Sequence, residues 1–252
     1  MYDQFEVGGQ IVHLYNIFLL IAIIAAALLI ERQLDRLKLG ENKTTYLRVL
    51  TPIAILLGLL GAATLEIITQ QKALTITNYT SGFTFYGGLL TVFVVLIAYS
   101  FISKISFVFL LNFLSAPVVL AHAIGRIGCF FAGCCFGKQT DLPWAIRFPI
   151  DSLAFQKYGD CTVHPTQLYE SGFLFLLFFF LVKLRFNHRF SVYLIGYGVF
   201  RFLVEFIRAD SRGELLGINN FSPSQLISIL LLVVGVVIYL IRKKKVAAPG
   251  SA

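Results

Sequence analysis

Seven stretches of the chain are apolar over the length that a bilayer requires: residues 11–30, 48–69, 83–103, 106–124, 166–184, 191–209 and 222–241. A membrane-crossing helix takes about 20 mostly apolar residues. The third and fourth stretches nearly merge. We divide them at Ser103 and Lys104, because about 40 apolar residues do not fit one straight span. Between the fourth and fifth lies a different kind of segment, 125–165, with five glycines, three prolines, all four cysteines and the only tryptophan. A connection this long is usually functional or disordered. Within it Trp144–Phe148 reads as a short strand, and 138–165 as a small cap outside the membrane. The pattern predicts an all-α membrane protein of seven transmembrane helices, with an extracytoplasmic cap between spans four and five. Residues 1–245 form a single membrane domain, and the small-residue tail 246–252 is expected to be disordered.

Composition agrees with this reading and excludes a water-soluble globule. Of 252 residues 58% are hydrophobic and only 13% are charged, against about a quarter charged in soluble domains. The net charge of +8 raises the question of nucleic acid. The basic residues sit at the ends of apolar runs and not on one face, which suits anionic lipid headgroups, so no nucleic-acid partner is expected. The first span is not a cleaved signal, since Asp3 and Glu6 precede it and Arg32, Arg36 and Lys38 follow. Positive charge belongs on the cytoplasmic side. The N-terminus is therefore placed outside and the C-terminus, with Arg242–Lys245, inside.

Ionisable groups inside a bilayer are costly, from about 2.5 to more than 10 kcal/mol each, and point to function. Tyr197, Arg201, Glu205 and Arg208 are spaced 4, 4 and 3, which places them on one helical stripe. The stripe reads either as an internal Arg201–Glu205 pair or, with its surplus arginine, as a site for an anion such as phosphate. The block GRIGCFFAGCCFG, 125–137, sets Arg126 among glycines at the end of span four. It reads as an anion-holding helix end or as a packing loop. In HPTQLYE, 164–170, His164, Gln167 and Glu170 fall three apart near one face at the outer surface. A wet helix end and a site contribution both fit, because histidine is the side chain suited to proton transfer near neutral pH. Glu66 stands alone in span two, and His122 lies one turn before Arg126; both are read first as satisfied interior groups.

The cysteines raise the question of zinc. Their spacing is Cys129-x4-Cys134-Cys135, with Cys161 further on, whereas zinc sites usually use a C-x2–4-C pair. Adjacent cysteines diverge on a helix, so small packing residues are the favoured reading and no metal or other cofactor is expected. A disulfide to Cys161 remains open.

Together these segments resemble the prolipoprotein diacylglyceryl transferase family. Its GRIGNFxNGExxG block is matched at Gly125, Arg126, Ile127, Gly128, Phe130, Gly133 and Gly137. Its HPSQLYE motif appears as HPTQLYE, its FRFxxEFxRxPD motif as Phe200–Asp210 with one residue fewer, and its SxxQxxS pattern at Ser222, Gln225 and Ser228. Tyr15 sits where the family has a Trp-Tyr pair. The resemblance implies a bacterial inner-membrane enzyme. It would move the diacylglyceryl group of phosphatidylglycerol to the lipobox cysteine in the signal-peptide region of a prolipoprotein. Arg126 and Arg201 take the phosphate, Tyr197 and Glu205 orient Arg201, and Gly88 and Gly137 match structural glycines. Tyr15, Arg208 and Gln167 join the substrate-binding set.

The chain also departs from the family. The histidine of HGGL, its base, is here Tyr86. The asparagine of GRIGN is Cys129, the following glutamate is Cys134, and the arginine usual in span two is missing around Ala62–Thr64. An ordinary tyrosine is less acidic than histidine by about 3.5 pKa units. The proton is then taken by Tyr86 or by another group such as His164 or His122, or the acceptor arrives as thiolate. Transfer to a different acceptor, or phospholipid binding or transport without chemistry, are the competing readings.

Overall fold

The computed structural model describes residues 4–7, 10–71, 75, 85–209 and 222–247. It is overwhelmingly helical. Helices α1 (Leu14–Leu37), α2 (Glu41–Thr69), α3 (Phe85–Ser103) and α4 (Phe107–Phe131) are followed by a short helix α5 (Leu153–Tyr158). Then come α6 (Thr166–Lys183), α7 (Arg189–Val204) and α8 (Pro223–Ala247). Among the described residues, six segments are long and apolar enough to cross a membrane: Leu14–Leu37, Glu41–Thr69, Phe107–Phe131, Thr166–Lys183, Phe186–Ile207 and Pro223–Lys244. Where the remaining span is expected, 83–103, the described residues form a shorter apolar helix, Gly87–Ser103, which does not reach the length of the other six. Large side chains such as Phe101, Ile102 and Leu176 are about three-quarters exposed. That is the surface of a protein solvated by lipid.

The chain forms two compact units, Leu29–Phe113 and the remainder, Met1–Leu28 with Leu114–Ala252. In the first, α2 and α3 pack through small residues. A Cβ on Gly88 would stand 3.2 Å from the Gly58 carbonyl, and one on Gly58 2.8 Å from Val92 Cγ2. Lipid chains are as apolar as leucine, so close backbone approach rather than hydrophobic burial drives such contacts. Glu66, isolated in the sequence, accepts a hydrogen bond from Gln70 Nε2 one turn on.

The second unit carries the motifs. Its N-terminal hairpin pairs β1 (Gln4–Val7) with β2 (Gln10–His13), Phe5 facing Val12 in register. The first span accordingly begins at Leu14 and not at residue 11. Helices α7 and α8 meet at Gly198 and Gly235, where a Cβ would lie 2.9 Å from Ser228 O and 3.0 Å from Ile195 N respectively. A core of Val119, Ala123, Leu174, Leu177 and Leu181 joins α4 to α6, flanked by Phe173, Tyr193 and Tyr197.

The segment 138–165 is ordered by its own small core. Strand β3 (Ile146–Arg147) lies inside the stretch that reads as a strand, and pairs antiparallel with β4 (Thr162–Val163). Phe130, Phe136, Phe148, Ala154 and Val163 fill the space beneath. The short α5 starts at Ser152, whose hydroxyl accepts from the Phe155 N–H. Helix α4 runs seven residues beyond the expected end of span four at 124, so most of the GRIG block is helical. Its glycines sit where neighbours come close: a Cβ on Gly128 would lie 3.1 Å from Phe18 Cβ and 3.3 Å from Tyr15 Cδ2. Of the expected tail, 248–252 falls outside the described residues.

Candidate active site: a buried carboxylate that gathers arginines

The centre of the site is Glu170, on the first turns of α6, with a fully buried side chain. Its Oε1 lies 3.0 Å from Arg126 Nη2 and 3.5 Å from His122 Nε2, and accepts the Tyr197 hydroxyl proton at 2.9 Å. Its Oε2 faces Arg208 Nη1 at 3.8 Å. The four partners come from three separate segments of the chain. His122 and Arg126 are one turn apart on α4, and the Arg126 Nε donates to His122 Nε2 at 3.3 Å. Tyr197 comes from α7.

Arg208 comes from an extended segment. The helical stripe breaks, because α7 ends at Val204 and a 3-10 turn, Glu205–Ile207, follows. Beyond it the chain lies against residues 136–138. Lys138 N–H donates to Ile207 O at 2.7 Å and Ala209 N–H to Phe136 O at 3.2 Å. Gly137 makes this approach possible, since a Cβ there would stand 2.5 Å from His164 Cβ and 2.8 Å from Ile207 O.

A second charged pair sits one turn along α7. Arg201 Nη1 lies 2.7 Å from Glu205 Oε2, both nearly buried, and Arg201 Nη2 donates to Ser224 Oγ at 3.1 Å. Ser222 Oγ donates to Glu205 Oε1 at 2.8 Å. Arg201 is close enough to act electrostatically on Glu170 and His122. The groups named here comprise three guanidiniums and two carboxylates, so their formal charges sum to one positive. Buried charges survive only when paired and hydrogen-bonded, and a buried guanidinium cluster is suited to the oxygens of a phosphate.

Of the residues singled out from sequence, Arg126, Arg201, Glu205, Tyr197 and Arg208 meet here. Glu205 orients Arg201, whereas the Tyr197 hydroxyl goes to Glu170. Gln167 is buried, and its Nε2 donates to the Cys134 carbonyl at 2.5 Å. The His164–Glu170 face is thus no wet helix end. His164 Nδ1 stands 3.3 Å from the Tyr169 hydroxyl, which also accepts from Trp144 Nε1 at 2.8 Å. Tyr15 stands against the Arg126 end of α4. Gly88 and the backbone of Tyr86 belong to α3 in the other unit; the Tyr86 side chain lies outside what is described. Sequence reasoning named Glu170 only as part of the His164–Glu170 face and Ser222 only within a family pattern, and did not single out Ser224. For Glu170 a signal existed: it is the single acidic residue of its span, and the cost that singled out Arg201 applies equally to it.

These helices and this network define a polytopic membrane protein with a positively charged site in its interior. The sequence profile of the family described as Prolipoprotein diacylglyceryl transferase matches residues 3–241, and the chain belongs to that family. Among its relatives is a phosphatidylglycerol--prolipoprotein diacylglyceryl transferase of Clostridium tetani, 32% identical over 93% of this chain and 95% of the relative. A second such protein, from Clostridium perfringens, is 33% identical over 95% and 94%. One from Bordetella parapertussis is 30% identical over 93% and 92%.

Proposed function

We propose that the protein transfers the diacylglyceryl group of phosphatidylglycerol to the lipobox cysteine of a prolipoprotein, in the bacterial inner membrane, with its N-terminus and the 138–165 cap outside. The observation that carries this reading is the Glu170 network, in a chain that matches its family from residue 3 to residue 241. Arg126 and Arg201 hold the lipid phosphate, and Arg208 adds positive charge at the same place. Glu170 fixes the Arg126 guanidinium, and Glu205 with Ser224 fixes that of Arg201. Pre-set donors of this kind stabilise charge as it develops, without reorganising during the reaction.

In the reaction the acceptor sulfur, as thiolate, attacks the glyceryl carbon that carries the phosphate ester. The S–C bond forms as the C–O bond breaks, and glycerol phosphate leaves with the electron pair, its charge held by the arginines. The thiol proton goes to His164, oriented by Tyr169 and Trp144. Tyr15, Gln167 and Gly137 shape the substrate side of the site, Tyr197 holds Glu170, and Gly88 lets α3 approach α2.

The test is rescue of cells depleted of their own transferase, together with transfer from phosphatidylglycerol to a lipobox peptide by the purified protein. Rescue and thioether formation that both fail in Arg126→Ala are expected. Phosphatidylglycerol binding without transfer would overturn the catalytic reading in favour of a lipid-binding protein.

A further inference from the structure

Cys129, Cys134 and Cys135 play no part in the scheme above, yet their sulfurs all lie within 4.8 Å of one another. The backbone explains the gathering. Helix α4 ends in a Schellman motif: Gly133 N–H donates to Phe130 O at 3.2 Å and Cys134 N–H to Cys129 O at 3.3 Å. Gly133 takes the left-handed conformation at φ 64° that this motif needs. Such a motif brings the second residue past the helix against the residue five before it, usually as an apolar contact. Here that pair is Cys134 on Cys129. Cys135 is left-handed too, at φ 60°, which costs a non-glycine residue about 1–2 kcal/mol.

The turn is pinned from outside. Gln167 Nε2 holds the Cys134 carbonyl at 2.5 Å and Thr166 Oγ1 the Cys135 carbonyl at 2.7 Å. The helix geometry that would separate adjacent cysteines stops at Phe131, before they begin.

We propose that these three thiols are a binding site for one soft, thiophilic d10 metal ion. Soft thiolate ligands select zinc(II) and copper(I). With metal–sulfur bonds of about 2.3 Å, three sulfurs around one ion stand about 4 Å apart. The cluster needs to close by less than about 1 Å, within the reach of small side-chain rotations. Three S–H bonds break, three S–metal bonds form and the protons leave to solvent. The surroundings favour this. Arg126 lies about one turn before Cys129 on α4, and the backbone of Arg208 pairs with Gly137, two residues beyond Cys135. The same two arginines offset the net negative charge of a three-thiolate complex. Copper(I) is satisfied by three sulfurs, whereas zinc(II) completes its shell with one solvent ligand.

The test uses the reduced full-length protein in detergent, stripped with chelator and titrated separately with zinc(II), cadmium(II) and buffered copper(I). One equivalent per chain is expected for at least one ion, with a near-ultraviolet thiolate charge-transfer band. Reactive thiols should fall from the four free cysteines to one. Cys161→Ser should leave the stoichiometry unchanged, and Cys134→Ser should weaken binding at least about tenfold. The double variant Cys129→Asn, Cys134→Glu carries the residues of the family pattern and serves as the folded control; it should bind none of the three ions tightly. Full thiol reactivity in the presence of all three ions, or binding that survives in the double variant, would overturn the proposal. Because no lipid or acceptor enters the measurement, its result is independent of the transfer reaction.

Discussion

Glu170→Gln tests the network at its hub. The substitution keeps shape and keeps an oxygen for the Tyr197 hydroxyl and Arg126, 2.9 and 3.0 Å away. It removes the charge that two guanidiniums and a histidine face at 3.0, 3.8 and 3.5 Å. Removing one member of a buried ion pair costs about 3–5 kcal/mol, because the partner stays buried without compensation. For a chain of this size each kcal/mol moves the unfolding midpoint by about 2–4 °C, so a fall of at least about 6 °C is expected. The internal control is Glu31→Gln. Its carboxylate pairs with Arg48 at 2.9 Å, but both side chains are about half exposed. An exposed pair is worth about 0–1 kcal/mol. The assay is thermal unfolding in detergent of both variants and of the double variants Glu170→Gln/Arg126→Gln and Glu31→Gln/Arg48→Gln. Strong coupling is expected in the first pair and little in the second. Equal, small losses for Glu170→Gln and Glu31→Gln would refute the argument that Glu170 holds the arginines in a low-dielectric interior.

Four further outcomes follow from the same geometry. Gly137→Ala places a methyl against His164 Cβ and Ile207 O; it should cost about 1–3 kcal/mol and slow transfer, since Arg208 adjoins that contact. Arg126→Lys keeps the charge but not the fork, so it should bind phosphatidylglycerol more weakly than the parent and better than Arg126→Ala in the same lipid titration. His164→Gln should lower the transfer rate by about 10²–10⁴-fold while lipid binding persists. If Tyr86→Phe abolishes transfer instead, the phenol is the working group. A membrane-impermeant thiol reagent should label Asp151→Cys, in a background with Cys161→Ser, in cells whose inner membrane is intact. Labelling only after that membrane is broken would invert the orientation.

The sequence by itself determined the all-helical membrane character, the positions of the apolar spans and the arginines Arg126, Arg201 and Arg208. It could do so because the bilayer imposes a length and a charge penalty that are read one residue at a time. The family motifs were legible for a similar reason, since each block is local. Beyond the Arg201–Glu205 pair, which its four-residue spacing already suggested, tertiary structure decided which charge meets which. Glu170 and Tyr197 are 27 residues apart and meet because α6 and α7 pack together. Arg208 leaves its helical stripe because the helix stops at Val204 and its backbone pairs beside Gly137. The three thiols lay between these extremes. Gly133 announced the turn, but the use of a Schellman contact to join Cys129 to Cys134, and of a left-handed Cys135 to bring in the third sulfur, depends on carbonyls held from α6. Periodicity describes one helix at a time, whereas a buried charge or thiol answers to whatever the other helices bring against it.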